Sequence, residues 1–154
     1  MMTVEGPDEE EAAREMKALL DSGVIAPKNA ADAESLMQRV KRRYEEILQD
    51  SLAGIYLHGS LAAGCFQWKR SDIDFLVVVR EKPDIRAKMA LAEALYALRE
   101  EAPPAGFEMS VILEKYCRNT PYPVPFELHY SNAHLQAYQE DPRGFCQRMH
   151  GEDP

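Results

Sequence analysis

Residues 53–79 read AGIYLHGSLAAGCFQWKRSDIDFLVVV. Two short apolar runs rich in β-branched residues, 53–58 and 73–79, predict two buried strands. Gly59-Ser60 turns the chain after the first, and Asp72 and Asp74 open the second. Side chains alternate along a strand, so residues two apart point the same way. Both carboxylates are therefore expected to project into one site. Ile73, Phe75 and Leu76 bury the strand, and two like charges beside them would be costly without a cation between them. A hard divalent ion such as Mg²⁺ is the natural partner, because it takes oxygen ligands and keeps positions open for substrate phosphates. Gly59 lets the backbone approach a phosphate closely, and Ser60 offers a hydroxyl and a backbone N–H at a predicted helix start. The plain alternative is a turn closed by Ser71 with two solvated acids.

The flanking sequence sets these strands in an α/β rhythm. Upstream, residues 8–21 place Ala12, Met16, Leu19 and Leu20 on one helical face, and residues 31–50 do the same with Leu36, Met37, Val40, Tyr44, Ile47 and Leu48. Asp32 is placed as the N-cap of the longer helix, and Tyr44 as core. Downstream, residues 84–101 predict a helix, residues 107–114 (FEMSVILE) a third strand, and residues 124–131 (VPFELHYS) a fourth. Pro125 pushes that fourth strand toward an edge. The remaining tail reads as helical up to a break at Pro142. The fold class expected is α/β (α+β): a mixed sheet of four to five strands flanked by helices.

Composition narrows the function classes. At 154 residues, with 45% hydrophobic and 29% charged residues, the chain suits one globular domain. Its net charge of −8 argues against a broad nucleic-acid footprint, and the KRR cluster at 41–43 reads as a solvated helix face. No apolar stretch reaches the roughly 18 residues of a membrane span, and the acidic first residues do not resemble a signal peptide, so the expected location is the cytoplasm. Cys65, Cys117 and Cys146 are odd in number and widely spaced, which suggests reduced thiols.

The order Gly-Ser, variable gap, Asp-x-Asp in LHGSLAAGCFQWKRSDIDFLVVV resembles the signature of the DNA polymerase β nucleotidyltransferase superfamily. Within it, the pattern around GFEMSVI and FELHYS is most similar to aminoglycoside adenylyltransferases of the streptomycin and spectinomycin type. The resemblance implies that Gly59 and Ser60 hold the terminal phosphates of ATP. Lys69 and Arg70 sit in the loop before the acids, where a cation could meet phosphates as a further nucleotide contact; a plain solvated loop is the equal alternative. The resemblance also implies that Asp72 and Asp74 bind two Mg²⁺ ions, with Glu108 as third ligand or as the base that deprotonates the acceptor hydroxyl. An ordinary surface acid is the competing reading of Glu108. Glu127 and Tyr130 read as parts of a half-buried edge strand, and His129 as a structural histidine.

The resemblance divides the chain into an N-terminal helix and linker (1–30), a nucleotidyltransferase domain (31–131) and a helical tail (132–154). Adenylyltransferases of this type continue into a helical domain that supplies much of the acceptor site. This chain stops at MHGEDP, where such a domain would begin: either it is a fragment or natural truncation whose tail starts that domain, or the resemblance misleads about the acceptor. Leu135, Tyr138, Phe145 and Met149 are then expected to form an exposed apolar face that favours self-association. The leading function is AMP transfer from Mg-ATP to a hydroxyl of a small acceptor of the aminoglycoside class. The alternatives are a single-domain, antitoxin-type nucleotidyltransferase that modifies a partner protein, and a non-catalytic module that kept the fold.

Overall fold

Among the described residues, Asn29 opens the first helix. The computed structural model describes residues 28–152, so the helix expected over 8–21 lies outside the described residues. The Asn29 side chain accepts from the Ala31 amide, and the Asp32 carboxylate accepts from the Asn29 amide in a capping box. Asp32 is thus the third helical residue and not the N-cap, because Asn29 already fills that role one turn earlier. Helix α1 (Ala30–Leu48) buries Leu36, Met37, Val40, Tyr44 and Leu48 along one stripe and exposes Lys41, Arg42 and Arg43.

A single 3₁₀ turn leads into β1 (Leu52–His58), which runs directly into the short helix α2 (Gly59–Ala63). Strand β2 (Ile73–Val79), helix α3 (Ile85–Ala97) and β3 (Phe107–Leu113) form a parallel crossover unit. Asp84 caps α3 by accepting from the Ala87 amide at 2.8 Å. A short helix α4 (Lys115–Arg118) follows. The fourth strand expected over 124–131 is two pieces, β4 (Pro125–Phe126) and β5 (Leu128–Tyr130). Glu127 lies between them, its amide donating to the Val111 carbonyl at 2.7 Å. The tail supplies α5 (Leu135–Glu140), α6 (Pro142–Arg148) and β6 (Gly151–Glu152). Pro142 starts a helix instead of ending the structure, since its missing N–H is harmless in the first turn.

The main sheet has the order β1-β2-β3-β5, antiparallel except for the parallel β2–β3 pair. Strand β4 pairs with β6 in a separate two-stranded sheet. One face of the main sheet carries Ile73, Phe75, Val77, Phe107, Met109, Val111, Leu128 and Tyr130, all buried in the same apolar core as the inner stripes of α1 and α3. The opposite face carries Asp74, Leu76, Glu108, Ser110 and His129, all half-buried. The alternation that drives one set of side chains into the core leaves the polar set on the open side.

The exposed apolar face expected of the tail is absent. Tyr138 and Phe145 are only 2% and 3% exposed, and Leu135 and Met149 are half-buried against the core. Tyr138 packs on Tyr96 with ring centroids 5.1 Å apart and donates to Glu93 at 2.6 Å. The tail helices bury their apolar side chains on this domain, so these residues offer no sticky surface. In the core itself, Tyr44 donates to the Leu91 carbonyl at 2.9 Å and so ties α1 to α3. Tyr44→Phe should lower stability by about 1 kcal/mol, seen as a melting-temperature drop of a few degrees. An unchanged melting temperature would show that this tie contributes nothing.

Candidate active site

The carboxylate cluster follows from strand register. Asp74 of β2 lies opposite His58 of β1 on one side and Glu108 of β3 on the other. Paired residues on neighbouring strands share a face, so three side chains line up in one row across the open side of the sheet. Asp72 joins them from the residue pair before β2, held by a closed turn. There the Ser71 hydroxyl accepts from the Gln67 amide at 3.0 Å, and the Ser71 amide donates to the Gln67 carbonyl at 2.7 Å. Ser71 does close a turn, as the plain alternative held, and that turn aims Asp72 at the cluster. Oxygens of Asp72, Asp74 and Glu108 all lie within 4.8 Å of one another. Among the described residues this is the one group of three or more acidic, histidine or cysteine side chains so arranged.

The electrostatics are those of a site short of positive charge. Partial burial raises the Asp74 carboxyl above its ordinary range; the charge of His58 opposes this, and that of Asp72 adds to it. Glu108 is raised by burial first, then by the Asp74 charge, a hydrogen bond with Asp72 and the Asp72 charge. His58 Nδ1 stands 3.4 Å from Asp74 Oδ2, the nearest basic group to the cluster. Three convergent, mutually repelling carboxylates present hard oxygen donors, the set that suits Mg²⁺, and the residues fit such an ion.

Gly59 explains why glycine precedes serine here. Its φ is +71°, and an added Cβ would stand 3.1 Å from Asp74 Oδ2 and 3.2 Å from Asp74 Cβ. Ser60 lies half-buried in the first turn of α2. Lys69 and Arg70 are exposed in the turn before β2, and neither lines the cavity beside the acids. Trp68, in the same loop, packs edge-on against Phe66 at 6.2 Å, with the Lys28 ammonium 5.1 Å from its ring centre.

That cavity, of about 560 Å³, has His58, Asp74 and Glu108 at one end. It continues along β3 past Ser110 and Ile112 to Tyr116 and Phe126. A larger share of the site was therefore present in the sequence than the acids alone. His58 carries no signal in the sequence, because its place in the site depends on pairing with Asp74. Ser110 is silent for the same reason: its Oγ lies 2.8 Å from His129 Nδ1 across the β3–β5 pair. The only sequence signal was position, Ser110 falling two residues after Glu108.

A mixed four-stranded sheet with Gly-Ser at the end of its first strand and acids on its second and third is a nucleotidyltransferase architecture. The family model described as "Nucleotidyltransferase domain" matches residues 36–121, more than half of the chain and all of the residues Gly59, Ser60, Asp72, Asp74 and Glu108. The chain belongs to that family. Among solved structures, spectinomycin adenyltransferase AAD(9) from Enterococcus faecialis, crystallised with ATP and spectinomycin, shares the fold with a TM-score of 0.58. The identity is 24%, and the match covers 70% of this chain and 45% of that one, so this chain spans less than half of that enzyme. No curated protein matches the chain by sequence. Among the described residues, no helix is long and apolar enough to cross a membrane.

Proposed function

We propose that the chain transfers AMP from Mg-ATP to a hydroxyl of a small acceptor of the aminoglycoside class. The observation that carries this reading is the convergence of Asp72, Asp74 and Glu108 within 4.8 Å beside the Gly59-Ser60 turn. The fold it shares with an adenyltransferase crystallised with ATP and spectinomycin supports the choice of donor and of acceptor class.

Asp72 and Asp74 would hold magnesium, which supplies charge neutralisation at the α-phosphate and the departing pyrophosphate. The open backbone at Gly59 and the Ser60 hydroxyl would take the terminal phosphates, with Lys69 and Arg70 reaching the same chain from the turn beside them. Glu108 would complete that ligand set or, left free of the ion, accept the proton of the acceptor hydroxyl as its oxygen attacks the α-phosphorus. The new bond joins acceptor oxygen to the α-phosphorus, and the bond to the β-phosphate oxygen breaks. Positioning and electrostatics then carry most of the rate.

The test is incubation with ATP labelled at the α-phosphate, Mg²⁺ and a panel including spectinomycin and streptomycin. Label in a small-molecule product, with pyrophosphate released and both lost in EDTA, is the expected result. Label on a protein would support the antitoxin-type reading instead. The absence of both pyrophosphate release and a metal-dependent rise in melting temperature with ATP would overturn the proposal.

A further inference from the structure

Strand β1 ends on His58, and the chain turns away at Gly59 into α2. In the register of β1 with β2, His58 lies directly opposite Asp74. Its ring therefore stands on the open face in one row with Asp74 and Glu108, and it lines the same cavity. Asp74 is turned toward it. The Asp74 oxygen 3.4 Å from His58 Nδ1 is Oδ2, which is also the Asp74 atom nearest the place a Cβ would occupy on Gly59. A charge-assisted hydrogen bond draws nitrogen and oxygen to about 2.7–2.9 Å, and this pair stands well outside that range. Two donors held about 2.1 Å from one tetrahedral ion lie about 3.4 Å from each other. His58 and Asp74 thus have the spacing of two ligands of a shared ion and not that of a hydrogen-bonded pair. The His58 side chain is 54% exposed, which leaves solvent to hold its other ring nitrogen when Nδ1 is engaged.

Donor chemistry decides which ion gains from this arrangement. Carboxylates alone are hard ligands and suit Mg²⁺, whereas an imidazole nitrogen suits Zn²⁺ and the other late first-row ions. We infer that His58 is a fourth donor of the carboxylate site, and that its nitrogen turns the preference of the site toward Zn²⁺. His58 Nδ1 and Asp74 Oδ2 are the two donors already at ligand spacing, and Asp72, with an oxygen within 4.8 Å of Asp74, supplies a further one. Asp74 belongs to both donor sets, so Zn²⁺ and Mg²⁺ compete for it. The inference rests on the reading that the acid row holds a divalent ion, and on neither the acceptor nor the nucleotide.

Zinc chloride is the probe. Cys65 and Cys117 are exposed and would bind it through sulfur, so both are replaced by serine in the parent protein, while Cys146 is buried. Zn²⁺ affinity is measured by calorimetry, and Mg²⁺ affinity by the rise in melting temperature that the ion causes, for the parent, His58→Gln and Asp74→Asn. Loss of a group one step removed from a metal already costs about 10–100-fold in affinity, so loss of a direct donor is expected to cost at least the lower figure. Zn²⁺ binding should weaken tenfold or more in both variants. Mg²⁺ binding should weaken by as much in Asp74→Asn, yet stay within about threefold of the parent in His58→Gln. The second readout is the nitrogen NMR of the histidine rings in the parent, which leaves His58 in place, so a variant that failed to fold would not leave the question open. Zn²⁺ should move the Nδ1 resonance of His58 to the position of a metal-bound nitrogen and leave those of His129, His134 and His150 where they were. Zn²⁺ binding that survives His58→Gln, or a His58 ring that Zn²⁺ does not shift, would overturn the inference. Equal losses of Zn²⁺ and Mg²⁺ affinity in His58→Gln would overturn it too, because a residue that only orients Asp74 affects both ions alike. Failure of the parent to bind either ion would instead remove the metal reading of the acid row, and this inference with it.

Discussion

Asp74→Asn is expected to reduce nucleotidyl transfer by on the order of a thousandfold while leaving the metal-free protein at least as stable as the wild type at pH 8. The catalytic loss follows from removing one of three convergent carboxylates. Holding a divalent ion at the reacting phosphate is worth several kcal/mol, and about 1.4 kcal/mol is tenfold in rate. The stability expectation follows from the opposite side of the same geometry. Burial raises the Asp74 carboxyl, and Asp72 adds to the effect against the pull of His58. A carboxyl whose pKa is raised by folding contributes stability below its unfolded value near 3.9 and loses that contribution as pH climbs through the folded value. A neutral asparagine has no such loss. The melting-temperature difference between variant and wild type, both in EDTA, should therefore move in favour of the variant between about pH 4 and pH 8. A difference moving the other way would mean that the 3.4 Å pair with His58 outweighs burial and repulsion. A variant that retained wild-type turnover would remove Asp74 from the site.

Gly59→Ala should damage both stability and turnover, and comparison with Gly64→Ala separates the two effects. Both glycines have positive φ, +71° and +79°, where an L side chain strains the backbone by roughly 1–2 kcal/mol. An added Cβ at Gly64 meets nothing within 4 Å, whereas at Gly59 it meets Asp74 at 3.1–3.2 Å. Relief of that contact displaces the Asp74 side chain by a few tenths of an ångström. A misplacement of about 1 Å can cost a hundredfold in rate, so about a tenfold loss of kcat is expected for Gly59→Ala. The two variants should melt at similar temperatures, both several degrees below the wild type, yet only Gly59→Ala should lose turnover. Equal activity in both would show that the close approach of residue 59 to Asp74 has no part in catalysis.

The residues that could be read in advance share one property: their roles depend on neighbours within a few positions. Residues 73–79 announce a buried strand by their own composition, and the two-residue spacing of Asp72 and Asp74 places both acids on one side without any partner. The apolar stripe of α1 is equally local, and Tyr44 falls into the core as its spacing requires. Where expectation and structure part, a distant segment intervenes. Strand β4 is separate from β5 because its partner is β6, drawn from the far end of the chain. No feature of residues 124–131 carries that information. Tyr138 and Phe145 are apolar at helical spacing whether they face solvent or this domain, and only the presence of Tyr96, Glu93 and His134 beside them decides. Glu108 is named as a third ligand or base only through the family resemblance; its own segment shows a strand residue that could equally be a surface acid, and the register of β2 with β3 is what brings it to the cluster. At the start of α1 the competition is local and close: Asn29 and Asp32 are both good caps, and the capping box uses the two together.

The parallel pairing of β2 with β3 has a kinetic consequence. Asp72 and Asp74 are near neighbours in the chain, but Glu108 joins them only when residues 34 positions apart, 74 and 108, come into register after the α3 crossover has formed. Parallel pairings of this kind require a loop to close before any contact rewards it, and they form late. A divalent ion that needs oxygens from both strands finds no complete set of ligands in the unfolded chain or in an intermediate with β1 and β2 alone. If the cluster holds an ion as proposed, its binding energy would be added after the folding barrier has been crossed. The ion would then slow the escape of the chain from its native state and leave the speed of reaching that state nearly unchanged.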